Sequence, residues 1–175
     1  MQLVKNLFIA LFVVVMAGSV FAQNDLSRQA RKDVYQQATD LYQKEKYAAA
    51  QHLFDQVAAV SDDGEACYYA AVCSEKLNND DALYRLQEFM RLYPQSGRCN
   101  MARLHMGNFY YSRSQYAQAL QCYKLVNANE VEYGYKSEYD FKMGYCYFVS
   151  GDYTSAKSYF SRLQSGKSKY KNSAL

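Results

Sequence analysis

The sequence predicts an all-α fold, a solenoid of stacked antiparallel helix pairs, and three observations lead to it. First, a quartet of residues at offsets 0, 3, 7 and 10 recurs four times, always with Ala in second place. Second, these alanines are 32, 37 and 37 residues apart, a period typical of helical-repeat proteins. Third, one Pro and eight Gly in 175 residues favour long helices joined by short turns. The quartets are Tyr47/Ala50/Phe54/Val57, Asn79/Ala82/Leu86/Phe89, Tyr116/Ala119/Tyr123/Val126 and Tyr153/Ala156/Phe160/Leu163.

Each repeat contains a short polar break, and the apolar residues before and after this break have helical spacing. In the first repeat, for example, Tyr35, Ala38, Leu41 and Tyr42 form a stripe on one helical face. The breaks are short enough to force neighbouring helices to run antiparallel. They are predicted at residues 44–46, 78–80, 112–115 and 150–152. Junctions between pairs are predicted at residues 62–63, 93–96 and 127–132, the second of them around Pro94.

A small residue lies nine positions before each quartet, which predicts a close approach of two helices. These residues are Ala38, Ala70, Gly107 and Gly144. Side chains this small let helix axes approach to the lower end of the ~8–10 Å range. The large residue four positions after each quartet alanine is predicted to fill the gap toward the next repeat. Both sets of residues are therefore assigned to the scaffold.

The N-terminus has the features of a cleaved secretory signal. Lys5 supplies positive charge, residues 7–17 are an uncharged apolar run, and Val20-Phe21-Ala22 resembles a signal-peptidase site. An uncleaved membrane anchor is the alternative, although about 20 apolar residues are normally needed to span a bilayer. We expect cleavage after residue 22, a flexible segment at 23–29 and one helical-repeat domain at 30–175, with a mature form that does not span the membrane.

Charge and motif content argue against nucleic-acid binding and catalysis. The net charge is +3, and it becomes +2 without residues 1–22, which hold one Lys and no acidic residue. So small a charge predicts no nucleic-acid partner. No Gly-rich phosphate loop or Gly-x-Ser-x-Gly turn is present. His105 has no Cys, Asp or Glu three or four residues later and His52 has only Asp55, so both are interpreted as surface or groove residues. We expect no enzymatic activity, catalytic residue, cofactor, metal or small-molecule substrate.

The five cysteines all fall in predicted helices, and no two have Cys-x-x-Cys spacing. We interpret them as buried free thiols that pack like small hydrophobic residues. A disulfide between Cys122 and Cys146, on neighbouring repeats, is the alternative.

The fourth repeat resembles the tetratricopeptide repeat. Its matching residues are Gly144, Tyr147, Gly151, Tyr153, Ala156 and Phe160. The third repeat is similar but has Ser114 where Gly is usual, and the first two match less well. The resemblance covers residues 30–170 and implies a right-handed superhelical solenoid of about four repeats, plus the start of a fifth at residues 169–175. On that basis Tyr159, Phe160 and Leu163 of the last complete repeat are predicted to lack cover, and the chain is predicted to be the first part of a longer array. The alternative is that this end docks on another chain.

The resemblance also implies a partner-binding groove on the concave face, lined by the first helix of each pair. The groove positions that it implies are Tyr35, Thr39, Tyr42, Leu104, Asn108, Tyr111, Phe141, Tyr145 and Phe148, with Cys67, Ala71 and Ser74 in the second repeat. Residues 82–96 further resemble exported members of the family in the bacterial envelope. The expected function is a scaffold that binds a protein or peptide partner in the periplasm or cell envelope of a Gram-negative bacterium. The alternative is an accessory region of a larger exported enzyme or signalling protein.

Overall fold

A computed structural model describes residues 27–164 of the protein, and this part of the chain is helical throughout, without strands. The predicted signal segment and the predicted start of a fifth repeat lie outside the described residues. The helices are α1 (27–43), α2 (Tyr47–Val60), α3 (Gly64–Lys76), α4 (Ala82–Leu92), α5 (Cys99–Ser112), α6 (Tyr116–Lys124), α7 (Tyr133–Val149) and α8 (Tyr153–Gln164), with a 3-10 turn at Ala128–Glu130. From α2 onward each helix packs on the next in chain order, and α3 also packs on α5. Tyr35 of α1 contacts Phe54 of α2. The predicted all-α repeat architecture of helix pairs is confirmed.

The turn inside each helix pair has the same backbone conformation. One residue in each turn has a positive φ, and these residues are Glu45 (56°), Asn78 (60°), Ser114 (58°) and Gly151 (83°). In the fourth repeat the amide of Gly151 donates to the carbonyl of Phe148, and the next amide donates to Tyr147. This is the αL helix ending that glycine favours. Three repeats therefore adopt it without Gly, which explains why Ser114 is compatible with the repeat.

Small residues of the first helix receive a ring from the second helix of the same pair. A Cβ added to Gly107 would lie 2.2 Å from the Tyr123 ring, and one added to Gly144 would lie 2.6 Å from Phe160. The ring thus occupies the place of the missing side chain, and the two helices pack closely through it. The sequence interpretation, in which this large residue fills the gap toward the next repeat, is corrected: the ring first fills its own pair. Tyr123 then also contacts Tyr139 of α7, at 5.9 Å between centroids.

Arg98, at the entry to α5, connects three repeats. Its guanidinium donates to both carboxylate oxygens of Glu65 on α3 at 3.0 Å and to Glu132, just before α7, at 2.6 Å. The guanidinium carbon also lies 5.3 Å from the ring centroids of Tyr68 and Tyr69. Because Arg donates in a planar fork and stacks on aromatic faces, one side chain can hold several neighbours at once. The contact fixes the register of the second, third and fourth pairs.

Two expectations at the ends of the described chain are wrong. Residues 27–29 were predicted to be flexible but are helical. Tyr159, Phe160 and Leu163 were predicted to lack cover, but Leu163 is only 2% exposed and the Tyr159 ring stacks on Tyr147 at 5.7 Å. The first helix of their own pair, α7, covers them, because the repeat folds its second helix back onto the first.

Candidate functional site

The first helices line a tightly curved inner face, formed by α1, α3, α5 and α7. The hydroxyl groups of Tyr42 on α1 and Tyr135 on α7 lie 3.2 Å apart, although 93 residues separate them. The Tyr135 ring also lies 5.4 Å from the His105 ring centroid and 5.4 Å from the Lys76 ammonium. In an open solenoid each repeat contacts only its neighbours. Contact between the first and fourth repeats therefore places the first helices on the inside of the curve.

A buried charged cluster fills the middle of this inner face. His105 is fully buried and its Nδ1 lies 3.0 Å from a carboxylate oxygen of Glu75. Burial alone would raise the pKa of Glu75, but the hydrogen bond and charge of His105 outweigh it and lower that pKa. Lys76 lies 3.7 Å from the same carboxylate, and its pKa is raised because the charge of Glu75 outweighs burial. Opposite charges and hydrogen bonds thus compensate for the burial of this cluster.

A second part of the cluster joins α7 to α5. The Lys142 ammonium donates to Asn108 Oδ1 at 2.9 Å and to Glu138 at 2.5 Å, and the Tyr123 hydroxyl also donates to Asn108 Oδ1 at 2.8 Å. Two atoms, His105 Nε2 and Asn108 Nδ2, are buried and find no hydrogen-bond partner among the described residues. The sequence interpretation of His105 as a surface or groove residue is therefore wrong: its partner Glu75 comes from another helix, 30 residues away in sequence.

The predicted groove is filled in its middle, at Leu104 and Asn108, and keeps accessible surface at most of its other positions. Leu104 and Asn108 are 1% and 2% exposed, so these two predicted groove residues are core residues that no partner can reach. Ala71 and Ser74 of the second repeat are buried as well, and Cys67 is partly buried. The remaining predicted residues keep accessible surface. Tyr35, Thr39, Tyr42, Tyr111, Phe141 and Tyr145 are half-buried, whereas Phe148 is 53% exposed.

Aromatic pairs recur where the first helix turns into the second. Each pair consists of a residue in the last turn of the first helix and a residue five positions later, at the start of the second. Their rings are edge-to-face, with centroids 5.4 to 5.6 Å apart. The pairs are Tyr42/Tyr47, Tyr111/Tyr116 and Phe148/Tyr153. The second repeat has Ser74 and Asn79 at these places.

The last of these pairs is the most exposed. Phe148 is 53% and Tyr153 is 65% exposed, while both residues of the other two pairs are half-buried. We call Phe148, Tyr153 and the adjoining half-buried Tyr145 and Phe141 the terminal aromatic surface. Phe141, Tyr145 and Phe148 were among the predicted groove residues. Tyr153 was missed, although its spacing of five from Phe148 repeats that of Tyr111 and Tyr116 and is visible in the sequence.

A separate cleft lies beside Tyr35, between α1 and the α2–α3 junction. Its volume is about 870 Å³. The α1 side supplies Arg28, Arg31 and Lys32, and the opposite side supplies acidic residues. The acidic residues are Asp62, Asp63 and Glu65. Of these, Asp63 caps α3 and Asp62 accepts a hydrogen bond from Tyr93, so both have structural roles.

The cysteines and possible metal ligands form no reactive centre in the described part of the chain. All five cysteines are free thiols, with Cys73, Cys99 and Cys146 buried, so the structure does not contain the alternative disulfide between Cys122 and Cys146. Burial raises the pKa of the Cys73 and Cys146 thiols to about 12, which keeps them protonated. Within residues 27–164, no group of three His, Cys, Asp or Glu side chains is placed to hold a metal ion.

Among the helices that the structure describes, none has both the length and the apolar character required to cross a bilayer.

Comparison with known proteins agrees with the repeat. The tetratricopeptide repeat model matches residues 65–96 and 138–165, which fall on the second and fourth repeats. A search of curated protein sequences found no matching relative. Among solved structures, the fold is similar to MamA (residue 41 to the end) from Desulfovibrio magneticus RS-1, with a TM-score of 0.58 and 19% sequence identity. The alignment covers 77% of this chain and 73% of that one. Two of the four in-phase repeats thus match the tetratricopeptide repeat model, and the chain is similar in fold to MamA.

Proposed function

We propose that this protein is a non-enzymatic adaptor of the bacterial cell envelope that binds another protein through its terminal aromatic surface. The observation that carries the proposal is the exposure of Phe148 and Tyr153, two adjoining aromatic rings, in the last described repeat of an otherwise well-packed array. Helical repeats act as scaffolds that present extended binding surfaces. Large exposed aromatic side chains are enriched where proteins bind each other.

The chemistry of this surface suits a polypeptide partner. Tyr and Phe provide a large contact area and lose little conformational entropy on binding, and the Tyr hydroxyl can also form a hydrogen bond. The Tyr145 ring contacts Tyr116 edge-to-face at 5.2 Å between centroids, and the interaction with the Tyr116 hydroxyl raises the pKa of Tyr145. Tyr145 therefore lies in a fixed position beside Phe148, one turn away on α7. A preorganised aromatic surface of this kind binds with a smaller ordering cost.

Buried side chains fill the middle of the inner face, so the proposed site lies away from the middle of the array. Leu104 and Asn108 are core residues, and His105 is hydrogen-bonded to Glu75 beneath the surface. A partner in a continuous groove would have to displace the contact between Tyr42 and Tyr135. The ends of the first helices require no such rearrangement. The terminal aromatic surface is thus the most accessible part of the predicted groove.

The envelope location rests on the sequence features of residues 1–22, the charged start, the apolar run and the Val20-Phe21-Ala22 site. Export with cleavage gives a mature chain that begins at Gln23. Mass spectrometry of the protein isolated from its native cells tests this directly. An unprocessed N-terminus in a cytoplasmic fraction would contradict the proposed location.

Photo-crosslinking in cells tests the partner-binding site. A photo-reactive phenylalanine analogue at Tyr153 is compared with the same analogue at Tyr84, a tyrosine on α4 that is also 65% exposed. We expect position 153, and not position 84, to form a covalent adduct with one distinct envelope protein. The same protein should co-purify with the wild type and with Tyr84→Ser but not with Phe148→Ser. Equal labelling at the two positions would refute the proposed site.

A further inference from the structure

The aromatic pairs in the interior of the array share a feature beyond their geometry: a tyrosine of the following repeat covers each of them. Tyr69 on α3 contacts Tyr42 of the first pair, with centroids 5.2 Å apart. Tyr145 on α7 contacts both Tyr111 and Tyr116 of the second pair, at 5.8 and 5.2 Å. All three contacts are edge-to-face. In this protein, an aromatic pair at the end of a first helix is thus a docking place for a tyrosine on another helix.

The third pair, Phe148/Tyr153, has the same edge-to-face geometry, but no tyrosine of residues 27–164 covers it in this way. Its centroids are 5.6 Å apart, and both rings are more than half exposed. Val149, next to Phe148, is 49% exposed. Three apolar side chains together at one end of α7 and α8 form a patch of the kind that marks an interaction site. The patch continues the established contact between successive repeats.

We infer that this patch binds a helix of a partner protein, and that this helix presents a Tyr or Phe in the manner of Tyr145. The inference rests on the proposed function and specifies the partner. The partner helix packs across the ends of α7 and α8 as α7 itself packs across α5 and α6. Its aromatic residue contacts Phe148 and Tyr153 edge-to-face. The partner thereby adds one helix to the stack, instead of lying along the inner face.

A second copy that continues the stack head to tail does not fit the patch. In a head-to-tail contact the copy would present α1, the first helix of the array. The exposed side of α1 is polar over successive turns, and it carries no exposed aromatic residue between positions 27 and 43. The polar residues there include Gln36, Gln37, Asp40 and Gln43. Burying these side chains against Phe148 and Tyr153 would leave polar groups without partners.

Residues 165–175 of the same chain fit the patch no better. Their only aromatic residue is Tyr170. With the repeat step of 37 residues, Tyr170 corresponds to Tyr133, the first residue of α7, and not to Tyr145. Tyr133 is 99% exposed and covers nothing. By this spacing, residues 165–175 contain no aromatic residue in the place of Tyr145.

A peptide with the sequence of α7 tests this inference. The peptide covers residues 133–149, is held helical by a side-chain staple on the face opposite Tyr145, and is added to the mature protein. We expect saturable binding by fluorescence anisotropy. Binding should weaken about tenfold when the peptide carries Tyr145→Ser, because an edge-to-face aromatic contact is lost. Equal binding of both peptides, or no binding of either, would overturn the inference.

Protein variants localise the binding and provide the control. Tyr153→Ser should weaken peptide binding about as much as the peptide substitution, whereas Tyr84→Ser, at a site of equal exposure, should leave it unchanged. Circular dichroism confirms that both variants stay folded. If Tyr84→Ser weakens binding as much as Tyr153→Ser, the contact is nonspecific and the inference fails.

Crosslinking from position 153 separates this inference from the proposed function. An adduct with residues 165–175 of the same molecule, or with a second copy, would overturn the inference. An adduct with a partner segment that is not helical or lacks Tyr and Phe would overturn it too, while the adaptor function would stand. If position 153 labels no protein at all, the proposed function fails as well.

Discussion

Equivalent positions of the repeat are buried in the middle of the array and accessible in its last described repeat. Leu104 and Asn108 on α5 correspond to Phe141 and Tyr145 on α7, 37 residues later. The first two are at most 2% exposed, whereas the second two are half-buried beside the exposed Phe148. The position in the repeat therefore does not decide whether a residue is core or surface. The neighbouring repeat and the curvature decide it, because α7 covers α5 and reaches α1 through Tyr135.

The largest expected effect comes from removing the aromatic ring that fills the space between the two helices of a pair. Tyr123 is fully buried, contacts Gly107 and donates to Asn108, whereas Phe160 at the end is only half-buried. We expect Tyr123→Ala to lower the free energy of unfolding by about 4 kcal/mol and Phe160→Ala by about 2 kcal/mol. Urea denaturation measures both values. Equal losses would show that the end of the array is packed as tightly as its middle.

The repeat and its helix pairs are predictable from the sequence because they rest on local signals. Small residues, quartets and polar breaks recur at fixed spacing, and the four turns lie where those breaks predict them. Whether each groove residue is buried or exposed is not predictable in this way. The burial of His105 depends on Glu75, and the Tyr42 contact depends on a residue 93 positions away. Such contacts follow from the curvature of the whole array, which no single repeat encodes.

Substitution of Gly107 and Gly144 tests whether the aromatic ring beside each glycine can move. A Cβ at Gly107 would lie 2.2 Å from the buried Tyr123 ring, whose hydroxyl is fixed by Asn108. We expect Gly107→Ala to cost about 2 kcal/mol, because overpacking outweighs the better helix propensity of Ala. Gly144→Ala should cost less than about 1 kcal/mol, since the half-buried Phe160 ring can turn outward. Thermal or urea unfolding of both variants provides the measurement.

A third glycine supplies the control for this pair of substitutions. Gly134 lies in the first turn of α7, and a Cβ there would meet no atom within 4 Å. Gly134→Ala should be neutral or stabilise the protein by about 0.5 kcal/mol through helix propensity alone. If it destabilises the protein as much as Gly107→Ala does, the effect at Gly107 does not come from Tyr123.

The charged cluster that distinguishes the middle from the end is expected to contribute less than the buried rings. The pKa of Glu75 is lowered in the folded protein because the interactions with His105 and Lys76 outweigh burial. The ionised carboxylate therefore stabilises the fold above its unfolded pKa of about 4.3, and this stabilisation is lost as the pH falls through the folded pKa. We expect Glu75→Gln to lower the free energy of unfolding at pH 7 by about 1 kcal/mol.

The pH series distinguishes this electrostatic contribution from lost packing. Urea denaturation between pH 7 and pH 3 should show a smaller acid-induced loss of stability for Glu75→Gln than for the wild type, so the two curves converge at low pH. Glu88→Gln is the matched control: its partner Arg91 also lowers the pKa of Glu88, but both side chains lie at the surface of α4. Exposed ion pairs contribute little, so this variant should behave like the wild type at every pH. Parallel curves for Glu75→Gln and the wild type would mean that Glu75 stabilises the inner face through shape alone, and that its charge has no part in closing the middle of the array.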